Sequence, residues 1–273
     1  MPVLSPALAA KQAALRSALA GGGPVLIAYS GGVDSAFLAW SARRALGDGM
    51  LALIADSPSL ARAELRAALA FAAAHEIPCE VIETREIERE EYRRNAPDRC
   101  FFCKDELFTR MEAELRRRPG FAALAYGLNC DDRGDFRPGR RAAEAHGVRA
   151  PLVEAGLGKE EIRALARAAG LELWDKPAAP CLASRVAYGL EVTPAVLARI
   201  EAAEAAVRAL GFREFRVRYH GAIARLEVGA AELPRALEPA TAAALAAAIR
   251  GAGFRFATLD LEPFRSGSLN RAQ

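Results

Sequence analysis

The alternation of apolar runs with helical segments is the feature that most constrains the fold. Short apolar runs typical of buried strands lie at 24–30, 50–56, 79–85 and 121–127. Segments with helical spacing lie between or after them, at 34–47, 59–77, 103–118 and 158–171. Strands that alternate with helices predict an α/β fold, in which helices cover both faces of a parallel sheet. We also expect a short helix before the first strand and an N-cap at Ser57 or Ser59.

The pattern changes after about residue 176. A helix is predicted at 193–211, with Thr193 as its N-cap and Pro194 in its first turn. Four further features are then expected, namely strands at 214–221 and 222–228 joined by a turn at Gly221, a helix at 240–253 and a strand at 254–262. This order is typical of a small α+β domain. We therefore predict two domains, 1–175 and 176–273.

Composition and charge exclude several classes of protein. The excess of 37 basic over 34 acidic residues is too small to indicate nucleic-acid binding by itself. No apolar run reaches the roughly 20 residues that a membrane span needs, and the N-terminus does not resemble a signal peptide. We expect a cytoplasmic protein, in which thiols stay reduced. An odd number of cysteines, five, then favours metal or catalytic use over a disulfide framework.

The segment "YSGGVDS" (29–35) follows a strand and opens a helix. Gly31 and Gly32 allow backbone torsions and close approaches that side chains would block. Successive N–H groups there form an anion nest, and the hydroxyls of Ser30 and Ser35 can bind phosphate. The loop contains no lysine and is not a Walker A motif. A glycine-rich turn without a ligand is the alternative.

The segment "RCFFCK" (99–104) contains a C-x-x-C pair, Cys100 and Cys103. Such a pair can share one metal or act as a redox pair. Cys181 is the candidate third ligand; it lies in "KPAAPCLASR", which two prolines predict to be a loop. Three cysteines suit an iron–sulfur cluster with one open iron, or a zinc site with one open position. Three separate buried thiols are the alternative.

The segment "FRVRYH" (215–220) places Arg216, Arg218 and His220 on one face of a strand. An arginine pair at this spacing can grip a phosphate or carboxylate, and Arg185, Arg137 and Arg140 can add positive charge. The alternative is a solvent-facing strand surface, on which His220 is structural.

Taken in order, these motifs resemble the ATP-dependent sacrificial sulfur transferase family, LarE, within the PP-loop ATP pyrophosphatases. The resemblance spans roughly residues 20 to 270, and it is carried by "SGGVDS", "RCFFCK", "YGLNCDDRGDFRPG", "KPAAPCLASR", "FRVRYHG" and "LDLEPFRSGSLN". It implies a Rossmann-like PP-loop domain and a C-terminal substrate-binding domain. It also implies a role in nickel-pincer nucleotide biosynthesis. ATP adenylates a carboxylate of pyridinium-3,5-biscarboxylic acid mononucleotide, pyrophosphate leaves, and sulfur displaces AMP to form a thiocarboxylate.

The resemblance also implies roles for individual residues. Asp34 serves the Mg²⁺–phosphate arrangement, and Arg185, Arg216 and Arg218 bind the substrate. The implied ATP contacts are Ala28, Ser30, Gly31, Gly32, Val33, Asp34, Ser35, Asp56, Ser57, Gly127 and Asp131. A solvated turn is the alternative for Asp131 and its neighbour.

Two versions of the family differ in the source of sulfur. In one, Cys181 gives up its own sulfur and becomes dehydroalanine. In the other, Cys100, Cys103 and Cys181 hold a [4Fe–4S] cluster that delivers a bound sulfide, and the C-x-x-C pair favours this version. The family implies a small-molecule substrate and a trimer or hexamer. A PP-loop tRNA thiolase and a nucleotide-binding sensor with a structural zinc are the remaining alternatives.

Overall fold

The structure, a computed structural model, describes residues 4–133 and 138–265. The strands are β1 (Val25–Tyr29), β2 (Met50–Asp56), β3 (Cys79–Glu83), β4 (Ala123–Tyr126), β5 (Phe215–His220), β6 (Ile223–Val228) and β7 (Phe256–Leu259). The first six helices are α1 (Pro6–Gly21), α2 (Val33–Leu46), α3 (Arg62–Ala74), α4 (Glu90–Arg93), α5 (Arg99–Arg117) and α6 (Pro138–Ala145). The others are α7 (Pro151–Glu154), α8 (Lys159–Ala168), α9 (Pro194–Ala209), α10 (Leu233–Leu237) and α11 (Pro239–Gly251).

Every predicted strand and helix is present, and Thr193 caps α9 by accepting a hydrogen bond from the Val196 N–H at 3.2 Å. The predicted cap of α3 is wrong. That helix begins after Ala61 and has no side-chain cap, because the Ser57 hydroxyl accepts from the Ser59 N–H inside the loop instead. Helix α5 begins at Arg99, four residues before its predicted start, so both cysteines of the C-x-x-C pair are helical.

Contacts divide the chain into two compact units, and residues 1–86 and 100–179 form the first. Its four strands are parallel in the order β3-β2-β1-β4, and all five residues of β1 are buried. One core, which contains Leu19, Phe37 and Leu165, covers one face of the sheet; a second, built around Phe108 and Met111, covers the other. The α/β prediction is confirmed. Strand order reverses between β1 and β4, and ligands in such sheets bind beyond the strand ends at this point.

Residues 87–99 and 180–273 form the second unit. Strands β5 and β6 make an antiparallel hairpin, with Gly221 in its turn at φ +71°, and β7 pairs parallel to β6. Helices α9 and α11 pack against this three-stranded sheet. The result is a small mixed α+β region, as the element order predicts.

The second unit takes in a short segment, residues 87–99, that interrupts the chain of the first unit. Asn95 is fully buried, and its amide donates to the carbonyls of Ala187 at 2.9 Å and Val186 at 3.2 Å. Arg99 donates to the Ala183 carbonyl at 2.7 Å. The predicted division at 175/176 is contiguous. The grouping by contacts differs from it by this segment and by a break at 179/180.

Candidate active site

The loop between β1 and α2 has a conformation that requires glycine. Gly31 has φ +70°, in the left-handed region that favours glycine. A Cβ at this position would also lie 2.5 Å from the Cβ of Ala68 on α3. Torsion and crowding therefore both exclude a side chain here, and Gly32 follows as the N-cap of α2.

The hydroxyl groups of Ser30 and Ser35 stabilise the loop through hydrogen bonds within it. The Ser35 hydroxyl accepts from the Ser30 N–H at 3.1 Å and donates to the Gly32 carbonyl at 3.1 Å. The two hydroxyl oxygens are 3.0 Å apart. Ala28 and Val33 flank the loop and are buried. The predicted strand–loop–helix context is confirmed, and the loop's backbone N–H groups stand at the N-terminus of a 14-residue helix.

The loop after β4 packs directly on the start of α2. A Cβ at Gly127 would lie 2.8 Å from the Ser35 nitrogen and 2.9 Å from its Cα. The family resemblance implies that Gly127 contacts ATP. In the structure, its lack of a side chain lets the ends of β1 and β4 meet at the switch point.

Asp34 lies at the centre of a polar cluster. Its Oδ2 accepts from the Lys159 Nζ at 2.7 Å and from the Asn129 Nδ2 at 3.1 Å. Its Oδ1 is buried and has no hydrogen-bond partner within the described part of the chain. A buried carboxylate oxygen without a partner is unusual and fits a missing ligand, such as a hard cation that prefers oxygen.

Sequence reasoning missed Lys159 and Asn129. Asn129 lies within the quoted "YGLNCDD" segment, but Lys159 is 125 residues from Asp34 and was interpreted only as the start of a helix. A lysine at the first position of a helix is the signal that was available, because the helix dipole disfavours a cation there.

Three of the predicted nucleotide contacts have protein partners. The Asp131 carboxylate accepts from the Lys159 backbone N–H at 2.6 Å, so it caps α8. Asp56 forms an ion pair with Arg62, and the Ser57 carbonyl accepts from the same guanidinium at 2.7 Å. The loop after β2 is thus held by Arg62.

A second lysine reaches the glycine loop from the segment that precedes Cys181. The Lys176 ammonium donates to the Gly31 carbonyl at 3.0 Å and pairs with Glu64 at 2.8 Å. Arg163 in turn donates to the Lys176 carbonyl at 2.9 Å. Lys176 therefore holds the glycine loop to α3 within the first unit.

The C-x-x-C pair lies on the first turn of α5. Cys100 is exposed and Cys103 is half-buried, and residues three apart on a helix share a face. Thiolate sulfur is a ligand that zinc and iron–sulfur clusters accept. The donor chemistry of the pair fits a cluster or a zinc ion.

Cys181 lies in the second unit, directly before the short 3-10 helix Leu182–Arg185. Within residues 4–133 and 138–265, no group of three or more His, Cys, Asp and Glu side chains is placed to hold a metal ion. Cys79 does not belong with these three cysteines. Burial, and then the charge of Glu80, raise its pKa to about 11, which is typical of an unreactive thiol packed in a core.

The predicted substrate arginines are buried among carboxylates. Arg185 is 5% exposed and holds Glu204 with two bonds, at 2.9 and 3.1 Å. It also donates to the carbonyls of Pro180 at 2.5 Å and Cys181 at 3.1 Å. Arg185 therefore fixes residues 180–185, which form the cysteine loop, to α9.

Arg218 is likewise 5% exposed, so the alternative of a solvent-facing surface is wrong for it. Its guanidinium pairs with Glu227 at 2.8 Å and donates to the Ser184 carbonyl at 3.2 Å. Glu227 also binds Arg225, which pairs with Asp260 at 3.0 Å. The face of β5 that bears Arg216, Arg218 and His220 is the arginine face. It belongs to the same network of ion pairs and hydrogen bonds as the cysteine loop.

The network joins several arginines to carboxylates. Arg185 pairs with Glu204, both Arg218 and Arg225 pair with Glu227, and Arg225 also pairs with Asp260. Burial, and then the charge of Arg185, lower the pKa of Arg216. Burial and Arg225 lower the pKa of His220, whose Nε2 is buried without a partner among the described residues. The face is suited to an anion. Arg140 pairs with Glu144, while Arg137 and the "SGSLN" tail lie outside the described residues.

Comparison with known proteins identifies the family. The chain is 35% identical over 266 residues to pyridinium-3,5-bisthiocarboxylic acid mononucleotide synthase of Lactiplantibacillus plantarum, which covers 96% of this chain and 95% of that protein. The chain belongs to the LarE family. It is accordingly an enzyme, a sulfurtransferase of nickel-pincer cofactor biosynthesis, and the resemblance seen in the sequence motifs is confirmed.

The chain is also similar to two uncharacterised proteins. One is the uncharacterised protein slr1717 of Synechocystis sp., 41% identical over 246 residues, which are 90% of this chain and 91% of that one. The other is the uncharacterised protein MJ0830 of Methanocaldococcus jannaschii, 28% identical over 75% of this chain and 77% of that one. No family model matches the chain. None of the described helices is long and apolar enough to cross a membrane.

Proposed function

We propose that this LarE protein adenylates a carboxylate of pyridinium-3,5-biscarboxylic acid mononucleotide and replaces AMP with sulfur, giving a thiocarboxylate. The observation that carries the proposal is the glycine loop at the β1/β4 switch point, beside which the Asp34 Oδ1 is buried with no hydrogen-bond partner among the described residues. The name of the Lactiplantibacillus relative, a bisthiocarboxylic acid mononucleotide synthase, supports the choice of substrate.

The activation step uses the loop as a phosphate cradle. The substrate carboxylate oxygen attacks the α-phosphorus of ATP, the bond to the β-phosphate oxygen breaks, and pyrophosphate leaves. Backbone N–H groups from Gly31 to Asp34 and the helix N-terminus would bind the departing charge. Mg²⁺ held by Asp34 would neutralise the phosphates. Of the other implied contacts, Gly127 and Asp131 shape the cradle by contacting Ser35 and the start of α8.

The phosphate of the mononucleotide would bind at the arginine face. Arg216 is half-buried and lies next to Arg218, whose guanidinium is fixed by Glu227. Fixed guanidinium groups lose little freedom on binding an anion. Arg185 would act indirectly, since its guanidinium is engaged by Glu204 and the cysteine loop.

The sulfur step would involve Cys100, Cys103 and Cys181. These cysteines would supply three thiolate ligands to a [4Fe–4S] cluster, which when bound presents sulfide to the activated acyl group. Sulfur attacks the acyl carbon, the bond to the AMP oxygen breaks, and AMP leaves. In the sacrificial version the Cys181 thiolate attacks the acyl carbon and AMP leaves. Loss of the Cα proton and cleavage of the Cβ–Sγ bond would then release the thiocarboxylate and leave dehydroalanine. The Arg185 bond to the Cys181 carbonyl and the Arg99 bond to the Ala183 carbonyl would hold the loop for either version.

Replacement of Cys181 by alanine tests the order of these steps. Cys181→Ala should abolish thiocarboxylate formation while ATP- and substrate-dependent pyrophosphate release continues, because activation does not need the thiol. Both products are measured on protein purified anaerobically, alongside its iron content. Wild type should hold about four irons per chain. Cys130→Ala, a half-buried thiol outside the three-cysteine set, is the control.

Each outcome separates the alternatives. Thiolation by Cys181→Ala at the wild-type rate contradicts the role of Cys181. A wild-type protein without iron that loses the mass of H₂S after one turnover supports the sacrificial version. A wild-type protein that contains zinc and releases no pyrophosphate supports the nucleotide-binding sensor. A wild-type protein that thiolates tRNA supports the tRNA thiolase.

We further propose that the enzyme works on a small molecule in the cytoplasm, without nucleic-acid or membrane partners. The five free thiols suit a reducing compartment. The trimer or hexamer that the family implies remains a prediction, which sedimentation velocity checks directly.

A further inference from the structure

The arginine face continues from β5 onto the two neighbouring strands. The register places Arg218 opposite Arg225, and His220 opposite Ile223, which is in turn opposite Phe256. Residues that lie opposite each other share one face of a sheet, and diagonal neighbours are about 7–8 Å apart. Arg225 is therefore the diagonal neighbour of His220 on this face.

Two side-chain nitrogens of these neighbours are buried without a partner. They are the Nε2 of His220 and the Nε of Arg225, neither of which has a hydrogen-bond partner among the described residues. Buried polar atoms are hydrogen-bonded in the large majority of cases, so two neighbouring exceptions call for a physical explanation.

The nearby carboxylates are already engaged. Glu227 accepts from Arg218 with Oε2 at 2.8 Å and from Arg225 with Oε1 at 3.0 Å. Asp260 accepts from Arg225 with Oδ2 at 3.0 Å and from the Glu262 N–H with Oδ1 at 3.0 Å. An acceptor for the two unpartnered nitrogens is therefore best supplied by an anionic ligand.

His220 is suited to meet such a ligand. Burial, and then the charge of Arg225, lower its pKa, so the ring is neutral near pH 7 and offers one N–H donor. Its side chain is half-buried, and the residues opposite it are more open, since Ile223 is 39% and Phe256 50% exposed. A ligand therefore has access to this row of the sheet.

We propose that His220 is a further phosphate-binding residue of the arginine face, and that its Nε2–H donates to a phosphate oxygen of the mononucleotide. The inference deepens the proposed function and rests on it for the identity of the ligand. Rotation about the Cβ–Cγ bond, a soft torsion in histidine, would turn Nε2 toward the ligand without moving the strand. A phosphate has several acceptor oxygens, so it can serve the ring and the neighbouring guanidinium groups together.

Equilibrium binding of the mononucleotide and of its dephosphorylated nucleoside, both without ATP, tests the proposal. His220→Phe should weaken mononucleotide binding about 10- to 100-fold, the loss expected for one hydrogen bond to a charged group, and nucleoside binding less than about twofold. His220→Gln should recover part of the affinity, because its amide is also a donor. His75→Phe, which removes a histidine of the first unit that pairs with Glu172, is the matched control and should leave both affinities unchanged.

Inorganic phosphate is a second probe, which does not depend on the identity of the substrate. The chain has three histidines, so their ring signals can be followed by proton–nitrogen NMR while phosphate is added. The signal of His220, assigned from its loss in His220→Phe, should shift. Sodium chloride at the same ionic strength should leave it unchanged.

Equal weakening of mononucleotide and nucleoside binding would overturn the proposal, because a merely structural role does not discriminate between the two ligands. So would an unshifted His220 signal together with equal affinities of wild type and His220→Phe. His220→Ala is measured in the same way, so that a misfolded phenylalanine variant does not decide the result. A wild type whose His220 signal shifts with phosphate but which does not bind the mononucleotide refutes the proposed substrate and leaves the role of His220 standing.

Discussion

Arg185 shows how burial changes the interpretation of a residue. The sequence presents it as one more cation for an anionic substrate, since nothing local reveals its partner. In the structure it is paired with Glu204, which also accepts from the Val217 N–H at 3.2 Å. A buried pair with this many bonds fixes geometry, and removing one partner leaves an uncompensated charge.

Arg185→Ala should therefore act first on stability. We expect the free energy of unfolding to fall by about 3–5 kcal/mol, because Glu204 is left buried and unpaired. Urea denaturation of the two proteins measures this loss. The double variant Arg185→Ala/Glu204→Ala is the control and should recover part of it. Unchanged stability together with lost substrate binding would instead support a direct substrate contact.

At the scale of elements, α5 carries a pH-sensitive link. His146 follows α6 and lies between two carboxylates of α5, with Nδ1 2.7 Å from Glu112 and Nε2 3.0 Å from Asp105. Burial lowers the pKa of His146, but the hydrogen bonds to Asp105 and Glu112 outweigh it, so the pKa is raised. Helix α5, which bears Cys100 and Cys103, is thus held most firmly when His146 is protonated.

The stability from this link should decrease as pH rises. Because the folded pKa lies above the unfolded value of about 6.5, the contribution is complete below that pH and is lost as pH passes the folded value. The difference in unfolding free energy between wild type and His146→Leu should shrink as the pH is raised from about 6.5, the unfolded pKa, into the alkaline range. His220, whose pKa is lowered, changes stability with pH in the opposite direction. It is present in both proteins, so its contribution cancels in the difference between them. A difference that stays constant or grows with pH contradicts the link.

Element positions were predictable wherever the local pattern carries the information. Strand β2 has its predicted bounds, and Thr193 caps α9, because apolar runs and capping serines or threonines act over a few residues. An ion pair between distant residues leaves no local pattern that identifies both partners. The contact of Lys159 with Asp34 spans 125 residues, and the serine cap of α3 failed because its hydroxyl had a closer partner.

At the scale of the whole molecule, the least predictable feature is the segment 87–99. It has no periodicity that assigns it to the second unit, yet Tyr92 is 1% exposed and Asn95 is fully buried. Asn95 also takes φ +56°, which asparagine tolerates better than most residues. The Val192 N–H donates to the Arg93 carbonyl at 2.9 Å, so this segment and the chain after Cys181 stabilise each other.

This segment should lose protection together with the second unit. Leu226→Ala, at a position 1% exposed on β6, should destabilise that unit by about 2–5 kcal/mol. In native-state hydrogen exchange, the amides of Asn95 and Val192 should then exchange faster, whereas those of Leu26 and Ile27 on β1 should change less. Ile162→Ala, at a fully buried position on α8, is the matched control and should give the reverse order. Equal acceleration of all four amides in both variants would show that the two units unfold as one, and protection of Asn95 that follows Ile27 would assign the segment to the first unit.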